Sequence, residues 1–290
     1  MKWVEEKTWK DYHHTDASFL NTKEHFINGH RRGLSYLKRQ VVPYLGGGEC
    51  EVSQDTIYQK HPALEDFKDK KVLVFGSGPS LNNFDFSKVS EYDKVVTCNF
   101  FFNKAEMTEL PISLVFLGDE IKFSNQNLHR EIENKDYLIC FENIGRPPSE
   151  LKQFKNKYED RVFWAHTRYH SKIGAIVRHI SFLCSLNPKS ISIIGMDGFK
   201  AKHNKENKNF FRPNQKKSGG LESKFDGVKL EQKYKQQYLE FWDYVLHDVG
   251  KDISFENLGH GHPCNLTTEI LSDKIGKDYQ NYLLKPQERK

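Results

Sequence analysis

From about residue 70 onward, the chain sets short apolar runs between longer stretches with helical spacing. The runs fall at 72–75, 95–98, 113–117, 137–141, 162–165, 190–194 and 253–257, each rich in β-branched or aromatic residues. The run at 72–75 has no polar alternation, which predicts a strand buried on both faces, as in a parallel sheet. Between the runs, Ile176, Ile180, Leu183 and Cys184 form one stripe, which predicts a helix over 174–186. A second helix, rich in aromatics, is predicted over 231–249. Strand and helix in alternation predict an α/β domain with a mostly parallel sheet flanked by helices. In such sheets ligands sit beyond the carboxyl ends of the strands, near the point where strand order reverses.

Before residue 48 the pattern is different. Phe19, Phe26, Leu34, Leu37 and Val41 keep rough helical spacing, and Pro43 with Gly46-Gly47-Gly48 ends the stretch. The organisation expected is an N-terminal helical arm over 1–66, a Rossmann-like nucleotide-binding domain over 67–272, and a basic tail over 273–290. Within the domain, residues 200–227 are rich in lysine and asparagine and almost without apolar periodicity. A loop this long in a compact domain is either disordered or functional. It leaves directly from the strand end Gly195-Met196-Asp197-Gly198, so a lid over about 200–228 is expected. No internal repeat is visible.

Composition narrows the classes. Charged residues make up 29% and the hydrophobic set 37% of the 290 residues. No stretch approaches the roughly 20 apolar residues that span a bilayer, and the N-terminus does not read as a signal peptide. The five cysteines, Cys50, Cys98, Cys140, Cys184 and Cys264, lack CxxC spacing. That set fits reduced thiols in a cytoplasm and argues against a zinc site or disulfide frame. The net charge of +5 is mild, with lysines gathered at 200–235 and 285–290. Such runs are solvated faces, or they attract anionic sugars, phosphates or an inner membrane surface. No nucleic-acid motif accompanies them. Peripheral contact with the inner membrane and a homo-oligomer both stay open.

The candidate chemistry lies at predicted strand ends. Gly76-Ser77-Gly78-Pro79-Ser80 follows the first buried run. Its glycines are expected to take positive φ and approach a ligand closely, and Pro79 and Ser80 to open a helix whose N–H groups attract phosphate. The turn departs from the dinucleotide fingerprint, because Leu81 stands where a third glycine belongs and Asn99 where the acidic residue belongs. NAD is therefore disfavoured and a mononucleotide favoured. Asn99, beside Phe100, either bonds a ribose or base edge or serves as a turn residue in the left-handed region. Asp197, before Gly198 and Phe199, is a ribose, cytosine or metal contact, or a cap. Arg168 and Lys172 precede Gly174 at a predicted helix start, which is a second anion cradle or an ordinary basic loop. Of thirteen histidines, His203 lies in the expected lid, and His260 and His262 lie in Gly259-His-Gly-His-Pro-Cys-Asn265. A histidine near neutral pKa is the usual base for a hydroxyl acceptor. The His-Gly-His pair lacks a matching carboxylate motif, so no metal site is expected.

Together these residues resemble the small bacterial sialyltransferases of glycosyltransferase family 42 and the wider group sharing their nucleotide-binding core. Gly76-Ser-Gly-Pro-Ser-Leu81 is similar to the family's G-N-G-P-S-L, and Cys98-Asn99-Phe100-Phe101 to its C-N-Q-F. Ile194-Gly195-Met196-Asp197-Gly198-Phe199 is similar to its S-G-I-D-F-Y, and Gly174 stands where the family has T-S-G. The resemblance spans roughly 70–200, with a looser echo at Tyr238-Leu-Glu-Phe-Trp242. It implies a GT-A-like variant of the Rossmann-like fold. It also implies a metal-independent inverting transfer from a CMP-sugar co-substrate, and nucleotide contacts from the turn, Asn99 and Asp197. Ser77 replaces the family's asparagine, and Lys172-Ile173 replace its Thr-Ser. Phe199 lacks the hydroxyl of the family's tyrosine. Where the family has its catalytic histidine, this chain has Phe225-Asp226-Gly227.

The expected activity is transfer of an acidic sugar from a CMP-activated donor to a hydroxyl of a glycan acceptor, with His203, His260 or Asp226 as base. Gly76, Ser77, Gly78, Pro79, Ser80, Asn99, Phe100, Gly174, Asp197, Gly198 and Phe199 would hold the nucleotide, and Arg168, Lys172 and His262 the phosphate. The rivals are a phosphotransferase resembling the pterin pyrophosphokinases, which would need ATP and Mg²⁺ held by Asp119, Glu120 and Asp197, and a non-catalytic nucleotide- or glycan-binding protein.

Overall fold

The computed structural model describes residues 50–53, 56–118, 121–142, 148–167, 176–196, 211, 242 and 245–259. They build one nine-stranded sheet. In chain order the strands are β1 (Cys50–Ser53), β2 (Thr56–Gln59), β3 (Lys71–Phe75), β4 (Lys94–Cys98), β5 (Ile112–Leu117), β6 (Leu138–Glu142), β7 (Val162–Thr167), β8 (Ser190–Ile194) and β9 (Ser254–Asn257). Their spatial order is β1-β2-β7-β6-β5-β4-β3-β8-β9. The seven strands from β7 to β9 pair in parallel, and the β1–β2 hairpin adds an antiparallel edge against β7.

Each of the seven runs read from the sequence coincides with a parallel strand, displaced by a residue or two at most. The cause is visible in β3. Val72 and Val74 face one core with Val96, Leu114, Ile191 and Ile193, while Leu73 and Phe75 face the other with Val95, Val115, Leu117 and Ile139. Both faces are covered, which favours an apolar residue at each position of β3. The first core is closed by the helix Ile176–Cys184, through Ile180 and Leu183, and by Trp242, Val245 and Val249. The second is closed by Leu128 and Ile132 of the helix Gln126–Glu133, by Phe154 of the helix Pro148–Lys157, and by Phe101 and Met107.

Two expectations need correction here. The segment 1–66 was expected to be helical, yet its last part forms the β1–β2 hairpin and a 3₁₀ helix, Pro62–Phe67. Tyr58 anchors the hairpin in the first core, its ring edge-on to Phe182 at 5.3 Å. Burial pushes its hydroxyl pKa up to about 12. Four-residue strands carry too little periodicity to be recognised locally. Residues 1–49 lie outside the described residues. The helix expected over 231–249 is helical at Trp242 and ends in a π-type turn, Val245–Val249. Gly250 closes that turn by donating its N–H to the Val245 carbonyl at 2.7 Å. A methyl at Gly250 would lie 2.8 Å from the Phe255 ring, so glycine is what lets β9 pack there. The tail over 273–290 is not among the described residues.

Among the described residues no helix is long and apolar enough to cross a membrane.

Candidate functional site

The chain steps from β3 through β4, β5 and β6 to β7 in one direction, then places β8 on the opposite flank of β3. The switch point therefore lies between the carboxyl ends of β3 and β8, where open α/β sheets bind ligands. Gly76 and Ser77 follow β3, Asn99 follows β4, Gly118 follows β5, and Gly195 and Met196 follow β8. Val74 pairs with Val96, so Ser77 and Asn99 each stand three residues beyond one rung of adjacent parallel strands.

The glycine-rich turn works differently from what its sequence predicts. Gly78 has φ −72° and ψ 161°, and among the described glycines the positive φ belongs to Gly195, at 78°. The turn is zipped to the tip of β8. Gly76 N–H donates to the Ile194 carbonyl at 2.7 Å, and Gly78 N–H donates to the Gly195 carbonyl at 2.8 Å. In return, Gly195 N–H donates to Ser80 Oγ at 3.1 Å. A Cβ on Gly76 would stand 2.5 Å from the Gly195 carbonyl oxygen. The close approach that demands glycine is thus between two backbones rather than to a ligand. The helix expected after the turn is a five-residue 3₁₀ segment, Pro79–Asn83, with Pro79 in its first turn. Ser80 is buried and accepts from Gly195 rather than capping that segment. The Gly76 and Gly78 amides are therefore not available to cradle a phosphate.

Asn99 has φ 49°, so the turn reading of this residue holds. Its side chain does more. Gly118 N–H donates to Asn99 Oδ1 at 2.8 Å, which ties the β4 tip to the β5 tip. That bond fixes the amide orientation, because a backbone N–H needs an acceptor. With Oδ1 engaged, the half-buried Asn99 keeps Nδ2 as its donor group. A carboxylate here would accept bonds from a ribose diol; this amide offers N–H to an acceptor. Phe100 follows in the 3₁₀ segment Asn99–Asn103 at φ −87° and ψ 22°, half-buried, with its ring 6.2 Å from that of Phe102.

On the other side of the switch point, Asn257 ends β9 and is 2% exposed. It donates from Nδ2 to the Met196 carbonyl at 3.5 Å and accepts at Oδ1 from Gly259 N–H at 2.9 Å. Gly118, Gly195 and Asn257 were not singled out as site residues. The available signal was their place: each stands at or just after a buried run.

Further out, Asn103 Nδ2 donates to the Phe211 carbonyl at 3.2 Å, and Phe211 is buried in the second core. The expected lid over about 200–228 is therefore attached at that residue to the segment beyond β4. The remaining candidates, Arg168, Lys172, Gly174, Asp197, Gly198, Phe199, His203, Asp226, His260 and His262, lie outside the described residues, as do Asp119 and Glu120. No cluster of three or more metal-ligating side chains occurs among the described residues.

His179, in the helix Ile176–Cys184, is fully buried with its ring stacked on Phe116 at 4.0 Å. Burial, with Arg178 adding to it, holds its pKa well below the usual imidazole range. It is a neutral core group rather than a site base.

No family model and no curated protein sequence matches the chain. Among solved structures it is similar to the monofunctional alpha-2,3-sialyltransferase Cst-I from Campylobacter jejuni, at 14% identity and a TM-score of 0.44. That match covers 66% of this chain and 76% of the other. It is also similar to the sialyltransferase CstII from Campylobacter jejuni in complex with cytidine-5'-monophosphate, at 19% identity and a TM-score of 0.42. Here the coverage is 69% of this chain and 82% of the other.

Proposed function

We propose that the protein is a glycosyltransferase that takes an acidic sugar from a CMP-activated donor and passes it to a hydroxyl of a glycan acceptor. The observation that carries this reading is the arrangement of Ser77 and Asn99. They sit on adjacent strand tips beside the switch point, with an amide donor where a dinucleotide site has a carboxylate. The Nδ2 donors of Asn99 suit a pyrimidine carbonyl or ribose oxygen, and Asp197 would complete the nucleoside contacts. Phosphate binding falls to side chains, Arg168, Lys172 and His262, because the Gly76 and Gly78 amides are bonded to β8. These cations would stabilise the charge that grows on departing CMP, the kind of help that dominates many transferases.

The acceptor base is assigned to His260 in preference to His203 or Asp226. Asp197 follows Met196 and His260 follows Gly259 in the sequence. Asn257 bonds both Met196 and Gly259.

Thermal shift with CMP, UMP, GDP, ATP and NAD tests the reading. CMP is expected to stabilise the protein by about 2.7 kcal/mol at a hundredfold excess over Kd, and NAD not at all. Stabilisation by ATP only with Mg²⁺, without a CMP response, would transfer the case to a phosphotransferase. Hydrolysis or transfer of a CMP-sugar by the wild type and its loss in His260→Ala would test the base.

A further inference from the structure

A histidine that no site motif includes is wired to the loop that orients Asn99. His129 lies on the helix Gln126–Glu133, whose first turn is capped by Asn125 Oδ1 accepting from the N–H groups of Asn127 and Leu128. From there the imidazole reaches back to the loop before its own helix, with Nε2 2.5 Å from the Phe123 carbonyl. A carbonyl only accepts, so Nε2 carries the proton. Nδ1 is then the acceptor, and it lies 2.6 Å from the Tyr158 hydroxyl. The Phe123 carbonyl is what sets the proton on Nε2, since the Tyr158 hydroxyl can donate or accept.

Gly118 N–H is held on Asn99 Oδ1, and the Phe123 carbonyl is held by His129. Between these points Ile121 N–H donates to the Gly118 carbonyl at 3.2 Å, and Ile121 is buried. The Phe123 ring packs on Phe141 and Phe154 at 5.0 and 4.8 Å. We propose that His129 is a positioning residue for the strand-tip site: by holding the Phe123 carbonyl it fixes residues 121–123, whose Ile121 N–H bonds the Gly118 that meets Asn99. Tyr158, on the neighbouring chain segment, braces the imidazole. Its hydroxyl also lies 3.5 Å from Glu133 Oε1, which pairs with Lys157 at 2.7 Å, while the Arg161 guanidinium lies 5.7 Å from the centre of the Tyr158 ring. This inference depends on the nucleotide reading only for what the site binds, and the test separates the two.

Amide hydrogen exchange reads the loop without any ligand. In His129→Phe, which keeps ring volume and removes both nitrogens, exchange at Gly118 and Ile121 should rise about tenfold, the scale of one lost hydrogen bond. Exchange in β8, at Ile191 and Ile193, should stay as in the wild type. His129→Gln, whose side-chain amide can donate to Phe123, should restore most of the protection. CMP affinity should follow the same order. Unchanged Gly118 exchange in folded His129→Phe, or no rescue by glutamine, overturns the proposal. If the phenylalanine variant fails to fold, a long-range ¹H–¹⁵N spectrum of the wild type still decides: the Nε2–H tautomer supports it and the Nδ1–H tautomer overturns it. A wild type that ignores CMP while Gly118 responds as stated would defeat the nucleotide reading and leave the role of His129 intact.

Discussion

Gly76 and Gly195 meet backbone to backbone: a Cβ on Gly76 would lie 2.5 Å from the Gly195 carbonyl oxygen, and one on Gly195 would lie 2.9 Å from the Gly76 carbonyl carbon. Three hydrogen bonds, from Gly76 to Ile194, from Gly78 to Gly195 and from Gly195 to Ser80 Oγ, close the seam around that contact. The carboxyl ends of β3 and β8 are therefore joined by a backbone seam.

Gly76→Ala should destabilise the protein by about 3 kcal/mol or more, since the clash is with backbone that cannot rotate away. Gly195→Ala adds strain at a φ of 78° to its own contact and should be as severe. Urea unfolding monitored by circular dichroism checks both. A change below about 0.5 kcal/mol in either would contradict the seam.

Ser80→Ala keeps the space but removes the acceptor for Gly195 N–H. A buried donor left without its partner should cost about 1–3 kcal/mol. Ser80→Thr keeps the hydroxyl, so its loss of stability should be smaller than that of the alanine variant if the bond rather than the packing matters.

Asn99→Asp separates the two jobs of this side chain. The carboxylate can still accept from Gly118 N–H, so the melting temperature should change by only a few degrees. Nδ2 is gone and a negative charge faces an anionic ligand, so CMP affinity should fall tenfold or more by calorimetry. Equal CMP binding in the aspartate variant would remove Asn99 from the nucleotide site.

His179 sets an expectation for pH. Its folded-state pKa is depressed by burial, below the ordinary 6.5. The unfolded chain therefore takes up the proton first, and full stability is present above about pH 6.5. It is lost as pH falls towards the folded-state pKa, at up to about 1.4 kcal/mol per pH unit. In His179→Phe that part of the acid slope should vanish, whatever the variant's stability at pH 8. A slope between pH 6.5 and 5 equal to that of the wild type would show that His179 is not the group responsible.

The sheet was legible in the chain because strand burial is a local signal. A run such as Val72-Leu73-Val74-Phe75 is apolar at each step when both faces are covered, and the runs coincide with the parallel strands. The β1–β2 hairpin was missed because its strands are four residues long and it is held by Tyr58 contacting Phe182, far along the chain.

The Gly76-Ser-Gly-Pro-Ser80 turn could be placed from sequence at a strand end near the switch point, and Asn99 could be read as an amide standing where an acid is usual. What each does with its hydrogen bonds could not. Ser80 and Gly195 are 115 residues apart, and they meet only because β8 inserts beside β3. The same holds for Asn257 on Met196 and for Tyr158 on His129. Periodicity reports which face a residue buries, since that depends on its neighbours in sequence. Partners across strand tips depend on the order of strands in the sheet, which the assembled cores decide.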